Sequence, residues 1–296
     1  MSHSPIILLT NYHVAPSHRA EARALAIGRR LNREIVVVSA CKQTRDKSAL
    51  PISALGIEQV KGRLNKFWRL LQANADASGI TARAARLGAH FLIISMPHGN
   101  FLTRLIHGFQ AANIARRATC PVFVVKNQVD NRYRKVMIAT DFSIASKAAA
   151  LAALSFAPEA KFSAVHAYTL PDEMLMHELG LRSNVIKRYH SEAADRATQN
   201  LAHFVESLHS TAAVENYVVH GTAYSTILTY ASWIDADLIV IGKRAGAGLW
   251  SLLTRCLMRQ LLQKTQCDIL IAPATDGNHL ARHVAPVDRE KRAAHP

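Results

Sequence analysis

The strongest constraint on this 296-residue chain is an internal repeat. IILLTNYHVAPSHRAEARAL (6–25) aligns with VMIATDFSIASKAAALAAL (136–154), which sets Thr10-Asn11-Tyr12 on Thr140-Asp141-Phe142 at an offset of 130. AHFLIISMPHGNFLTRLIHGF (89–109) aligns with ADLIVIGKRAGAGLWSLLTRC (236–256) at an offset of 147. The second offset holds to CPVFVV (120–125) and CDILIA (267–272), where Cys120 meets Cys267. Two copies of one plan are present, and the first is shorter in its middle by the 17-residue difference between the offsets.

The second copy reads clearly. KVMIAT (135–140) is a short apolar run of strand type ending at Asp141, and Ser143 and Ser146 offer N-caps to an alanine-rich helix that stops near Pro158. FSAVHAY (162–168) is a second strand. Pro171-Asp172-Glu173 opens a long helical region in which Tyr189, Ala193, Ala197, Leu201 and Val205 recur every four residues as one buried stripe. VENYVVHG (214–221), DLIVIG (237–242) and CDILIAP (267–273) supply three more strands, with helices between them. Alternating strands and helices imply right-handed crossovers and a parallel, doubly wound sheet. In the first copy LGIEQVKGRLNKFWRLLQANAD (55–76) reads as a helix and leaves little room for a third strand. The first half is therefore expected to lack that strand or to carry a trimmed one. The expected units are 1–128 and 132–275, joined by the short polar segment NQVDNRYR, with a disordered tail at 276–296.

Charge is unevenly divided. The net charge is +15, of which residues 1–130 carry 18 Lys and Arg against 6 Asp and Glu. A basic first half can attract an anionic partner, but its charges are scattered and lack interleaved aromatics, which favours an ordinary solvated face. No apolar run reaches the roughly 18–20 residues that cross a bilayer, so no membrane insertion is expected. The start MSHSPIILLT has no basic leader, and Cys41, Cys120, Cys256 and Cys267 form no CxxC pair; both point to a cytoplasmic protein. His177, His190, His203 and His209 lack the i, i+4 pairing of metal ligands, and no G-x-S-x-G elbow is present, so neither a metal nor a catalytic nucleophile is expected.

A strand ending in Asp141, a strand ending in V-H-A-Y, then D-A-D-L-I-V-I-G, a glycine loop and a closing C-D-I-L-I strand together resemble the universal stress protein family. The resemblance spans 134–273 and is weaker in the first copy, so the whole looks like a tandem-domain member. It implies an α/β fold of two units, each an open, twisted parallel sheet of about five strands flanked by helices, paired edge to edge through the last strand. That pairing could be intramolecular, and a homodimer also stays open. Members that bind ATP use an Asp after strand one, backbone after strand two and a loop G-x2-G-x9-G-(S/T). The resemblance therefore marks Asp141, Val165, Gly242, Lys243, Gly246, Gly248 and Arg255 as candidates for a nucleotide or anion site.

That loop departs from the pattern. Gly242 fits, but Ala245 stands at the second glycine, and Arg255-Cys256 stand where Gly-(Ser/Thr) belongs. Glycines would let backbone N–H groups approach a phosphate, and the hydroxyl would add a donor. The first copy is further removed, with Asn11 for the acid, Ser95 for the first glycine and Pro97 in the loop. The reading is a non-enzymatic stress-response protein whose second half holds ATP or another adenine nucleotide weakly, or not at all. The alternatives are a nucleotide switch or slow ATPase using Asp141, Gly242, Gly246 and Gly248, and a polyanion binder acting through the basic first half.

Overall fold

Near-continuous apolar strands demand cover on both faces, and this sets the layers of the molecule. The computed structural model describes residues 6–10, 18–39, 68–72, 77–96, 111–126, 132–170, 178–179, 182–243 and 249–274. The first half runs β1 (Ile6–Thr10), α1 (His18–Leu31), β2 (Ile35–Ser39), β3 (Trp68–Gln72), α2 (Ala77–Arg86), β4 (Phe91–Ser95), helical residues 111–117 (α3) and β5 (Val122–Val125). The second runs β6 (Lys135–Ala139), α4 (Ile144–Phe156), β7 (Lys161–Tyr168), α5 (Ser183–Glu206), β8 (Val214–His220), α6 (Ala223–Trp233), β9 (Leu238–Lys243), α7 (Leu249–Lys264) and β10 (Asp268–Pro273).

All ten strands join one sheet in the order β3-β2-β1-β4-β5-β10-β9-β6-β7-β8. Each half contributes five parallel strands, and the halves meet where β5 and β10 run antiparallel, with Ile269, Leu270 and Ile271 opposite Val124, Phe123 and Val122. Strand residues alternate between two cores. Phe91, Ile93, Phe123, Val136, Ile138 and Leu270 face α1, α4 and α5, whereas Leu92, Ile94, Met137, Ile239, Ile269 and Ile271 face α2, α3, α6 and α7. The first of these cores is aromatic across the junction. Phe123 lies 4.8 Å from Phe156 and 5.4 Å from Phe91, and Tyr133 packs 5.8 Å from Phe156 (ring centroids). Burying each such ring contributes roughly 1.5–3 kcal/mol, so this core runs unbroken across the junction.

Two expectations are corrected. The first half keeps its third strand in a shorter form, five residues against seven in β8, and the helix read over 55–76 is what the structure overturns. β3 occupies 68–72 inside that stretch and pairs with β2 from Ile35↔Trp68 to Ser39↔Gln72. A short apolar run has no periodicity that separates strand from helix, and the pairing with β2 decided it. The long helix of the second half begins at Ser183, well after Pro171, and residues 171–177 lie outside those described. Its buried residues are Ile186, Ala197, Leu201 and Phe204, while Tyr189 is exposed. A strict spacing of four drifts about 40° per step on a helix of 3.6 residues per turn, so such a stripe walks out of the core. The tail 276–296 lies outside the described residues.

Candidate functional site

In the second half the chain places β6, β7 and β8 outward in turn, then returns to lay β9 and β10 on the other side of β6. The crevice outside the carboxyl ends of β6 and β9 is thus the topological switch point, the usual ligand position in such sheets. Asp141 leaves β6 at that point and is exposed. Its Oδ1 accepts hydrogen bonds from the Ser143 amide (3.1 Å) and hydroxyl. Ser143 in turn is the N-cap of α4, accepting from the Ser146 amide at 3.2 Å. Ser146 sits in the first turn and donates to the Ser143 carbonyl at 2.8 Å. Asp141 therefore buttresses a helix start while its carboxylate stays at the crevice.

Between these residues lies a feature the sequence reading missed. Phe142 has φ +61°, uncommon for a bulky side chain, and its ring stacks on His166 with centroids 4.1 Å apart. His166 Nδ1 lies 2.8 Å from the Thr140 carbonyl, and the Phe142 amide donates to Thr140 Oγ1 at 3.0 Å. The pair forms an aromatic wall at the ends of β6 and β7. The V-H-A-Y ending of strand two was the available signal. Val165, by contrast, is buried within β7, and its carbonyl already accepts from the Thr140 amide at 3.0 Å.

Gly242 has a packing explanation. A Cβ at this position would meet the Ser146 amide nitrogen and the Ala145 carbonyl carbon, with Ser146 Cα at 2.6 Å. β9 thus passes against the backbone of the first turn of α4, and only glycine allows it. Lys243 is directed away from a free loop position. Its ammonium donates to three carbonyls of the first half, Ala115 (3.0 Å), Arg116 (2.9 Å) and Ala118 (2.7 Å), at the end of α3. A cation at a helix C-terminus meets the negative end of the macrodipole. Burial is the main cause that pulls its pKa down to about 8, with Arg116 adding to the drop and Cys120 opposing it. Gly246 and Gly248 lie outside the described residues; Arg255 falls in α7 with its side chain likewise outside them.

A second lysine, unflagged by motif, makes the reciprocal contact. Lys126, at the end of β5 and 7% exposed, donates to the carbonyls of Leu261 (3.3 Å), Leu262 (2.8 Å) and Thr265 (3.1 Å) and lies 2.8 Å from Thr265 Oγ1, at the end of α7. Its amide donates to Asp268 Oδ1 at 2.8 Å. Asp268 is fully buried and also accepts from the Tyr133 hydroxyl (2.7 Å) and faces Arg23 Nε at 3.5 Å. The Arg23 guanidinium lies 4.0 Å over the Tyr133 ring. Burial, with the Asp268 charge next, drives the Tyr133 pKa well above its ordinary value. The signal for this cluster was in the repeat: the first-half equivalent of Asp268 is Pro121.

Redox or nucleophilic thiol chemistry finds no support at the aligned cysteines. Both are buried, and burial pushes Cys120 up to about 11 and Cys267 up to about 12, so they stay protonated. Among the described residues no group of three or more His, Cys, Asp or Glu is placed to hold a metal, and no helix is long and apolar enough to cross a membrane.

Comparison with known proteins follows the same division. Residues 132–273 match the model of the universal stress protein family. No curated protein sequence matches the chain. Solved structures match over nearly the whole length. A functionally unknown protein from Pseudomonas aeruginosa shares 19% identity at a TM-score of 0.63, covering 94% of this chain and 95% of its own. A second Pseudomonas aeruginosa protein, assigned to the universal stress proteins, gives 19% and 0.64 over 95% and 96%. A universal stress protein from Archaeoglobus fulgidus gives 13% and 0.58 over 91% and 98%. At these identities the likeness concerns fold. The overall fold is thus shared along both halves, and residues 132–273 form a domain that matches the universal stress protein family.

Proposed function

We propose that this chain is a non-enzymatic, cytoplasmic stress-response protein of the universal stress type. Its first half serves as a built-in partner for the second, and the end of β9, at Lys243, serves to hold the halves together rather than to bind phosphate. The observation that carries this reading is Lys243, whose three ammonium donors all go to carbonyls of the first half. Gly242 supports it, because its lack of a side chain is already required by α4. Adenine nucleotide or another anion would then be held weakly. Calorimetric titration of the full chain with Mg-ATP, ADP and AMP tests this: affinities weaker than about 100 µM are expected. Micromolar ATP binding would overturn it.

A second reading has one observation in its favour. Asp141 presents an exposed carboxylate at the switch point beside the Phe142–His166 ring pair, an arrangement that suits an adenine. On this reading the second half is a nucleotide switch or slow ATPase, and adenine nucleotide should co-purify and be released on denaturation. Exposed Arg29, Arg30, Arg86, Arg116 and Arg117 keep polyanion binding by the first half as a third reading, tested by salt-sensitive retention on heparin.

A further inference from the structure

A ten-stranded open sheet has two outer edges, here β3 and β8. Among the described residues β8 pairs with β7 alone, so one side of its backbone is left outside the ladder. Edge strands are usually blunted by Lys, Pro or short length. VENYVVH has seven residues, no Pro, no Lys or Arg, and a single charge at Glu215. Beside it stands an aromatic cluster. Tyr217 lies 5.5 Å from Tyr230 and 5.6 Å from Trp233, these two are 5.4 Å apart, and Trp233 is 66% exposed. Large rings gathered along an unprotected edge are costly to leave in water and suited to burial against another sheet.

We infer that β8 is a self-association edge: two copies of this chain pair antiparallel along Val214–His220, with Tyr217 opposite Tyr217 at the two-fold centre. That register sets Glu215 opposite Val219 and Val214 opposite His220, so no like charges face each other across the ladder. It also brings the two aromatic clusters together on one face. Charge selects this edge over the other. Residues 1–130 hold most of the +15, and joining at β8 sends both basic halves to the far ends of a twenty-stranded sheet. Joining at β3 would bring them together. The mode is one the chain already uses, since β5 and β10 join its halves by antiparallel edge pairing.

Sedimentation velocity of the full chain between about 1 and 100 µM should show a monomer–dimer equilibrium. The double variant Tyr217→Lys/Trp233→Lys should shift it at least tenfold toward monomer, with its melting temperature checked alongside. Register is tested separately: under oxidised glutathione Tyr217→Cys should form a covalent dimer above the background of the unsubstituted chain, and Glu215→Cys should not. A chain that stays monomeric throughout leaves the edge to some other protein and overturns self-pairing. So does a dimer unaffected by the double variant, or equal cross-linking at 215 and 217.

Discussion

The two halves share a plan but close their common seam with different chemistry. The second half opens its last strand with Asp268, buried and bonded to Tyr133, Lys126 and Arg23, whereas the first half has Pro121 at that place. The second half sends Lys243 from the end of its fourth strand to the last helix of the first; the equivalent first-half position is Met96. The first half answers from a different place, with Lys126 at the end of its fifth strand. In a symmetric dimer of identical chains every residue must serve both sides of the axis. One covalent chain is free of that demand, so a carboxylate can stand on one side and its cations on the other.

The largest break in this asymmetry should come at Asp268. Asp268→Ala leaves Arg23 buried without its carboxylate, and urea unfolding should show a loss of about 3–5 kcal/mol. A loss below about 1 kcal/mol would mean that the seam is held by its apolar contacts alone. Lys126→Met should follow at about 2–3 kcal/mol, because it strands buried carbonyls at the end of α7. Lys243→Met should cost less, about 1–2 kcal/mol, since Lys243 is only half-buried and water can reach the carbonyls it leaves. Equal losses at the two lysines would erase the distinction between them. Gly242→Ala should cost about 1–3 kcal/mol by pressing a methyl into the first turn of α4.

How much of this was legible depended on the kind of signal. The repeat located the strands of the second half because each is a bounded apolar run, and it matched Cys120 with Cys267 across 147 residues. β3 was hidden because FWRLLQ suits a helix and a strand equally, and its partner β2 lies far back in sequence. Gly242 was visible as a motif residue, but its packing against Ser146 arises from two elements almost a hundred residues apart. The Asp268 cluster draws on α1, the segment between the halves and both last strands, so no local pattern could assemble it. Only the mismatch between Asp268 and Pro121 marked the place.

An effect confined to high pH is expected from the feature the halves share most closely. Cys120 and Cys267 have folded pKa values of about 11 and about 12, raised by burial above the ordinary value of 9. Above pH 9 the unfolded thiols lose protons that the folded ones keep, so the folded state binds more protons and stability falls as pH rises. Below pH 9 the two thiols should add no pH dependence. Unfolding measured from pH 8 to 11 should show this decline, flattened in Cys120→Ala/Cys267→Ala. An unchanged slope in the double variant would assign the decline to other groups.

The central claim is that the two halves are one cooperative body, held by a seam that the single chain made asymmetric. Differential scanning calorimetry of the full chain tests it most directly. A single transition is predicted, with calorimetric and van't Hoff enthalpies in agreement, and Asp268→Ala should split or broaden it. Two independent transitions in the unsubstituted protein would contradict the account.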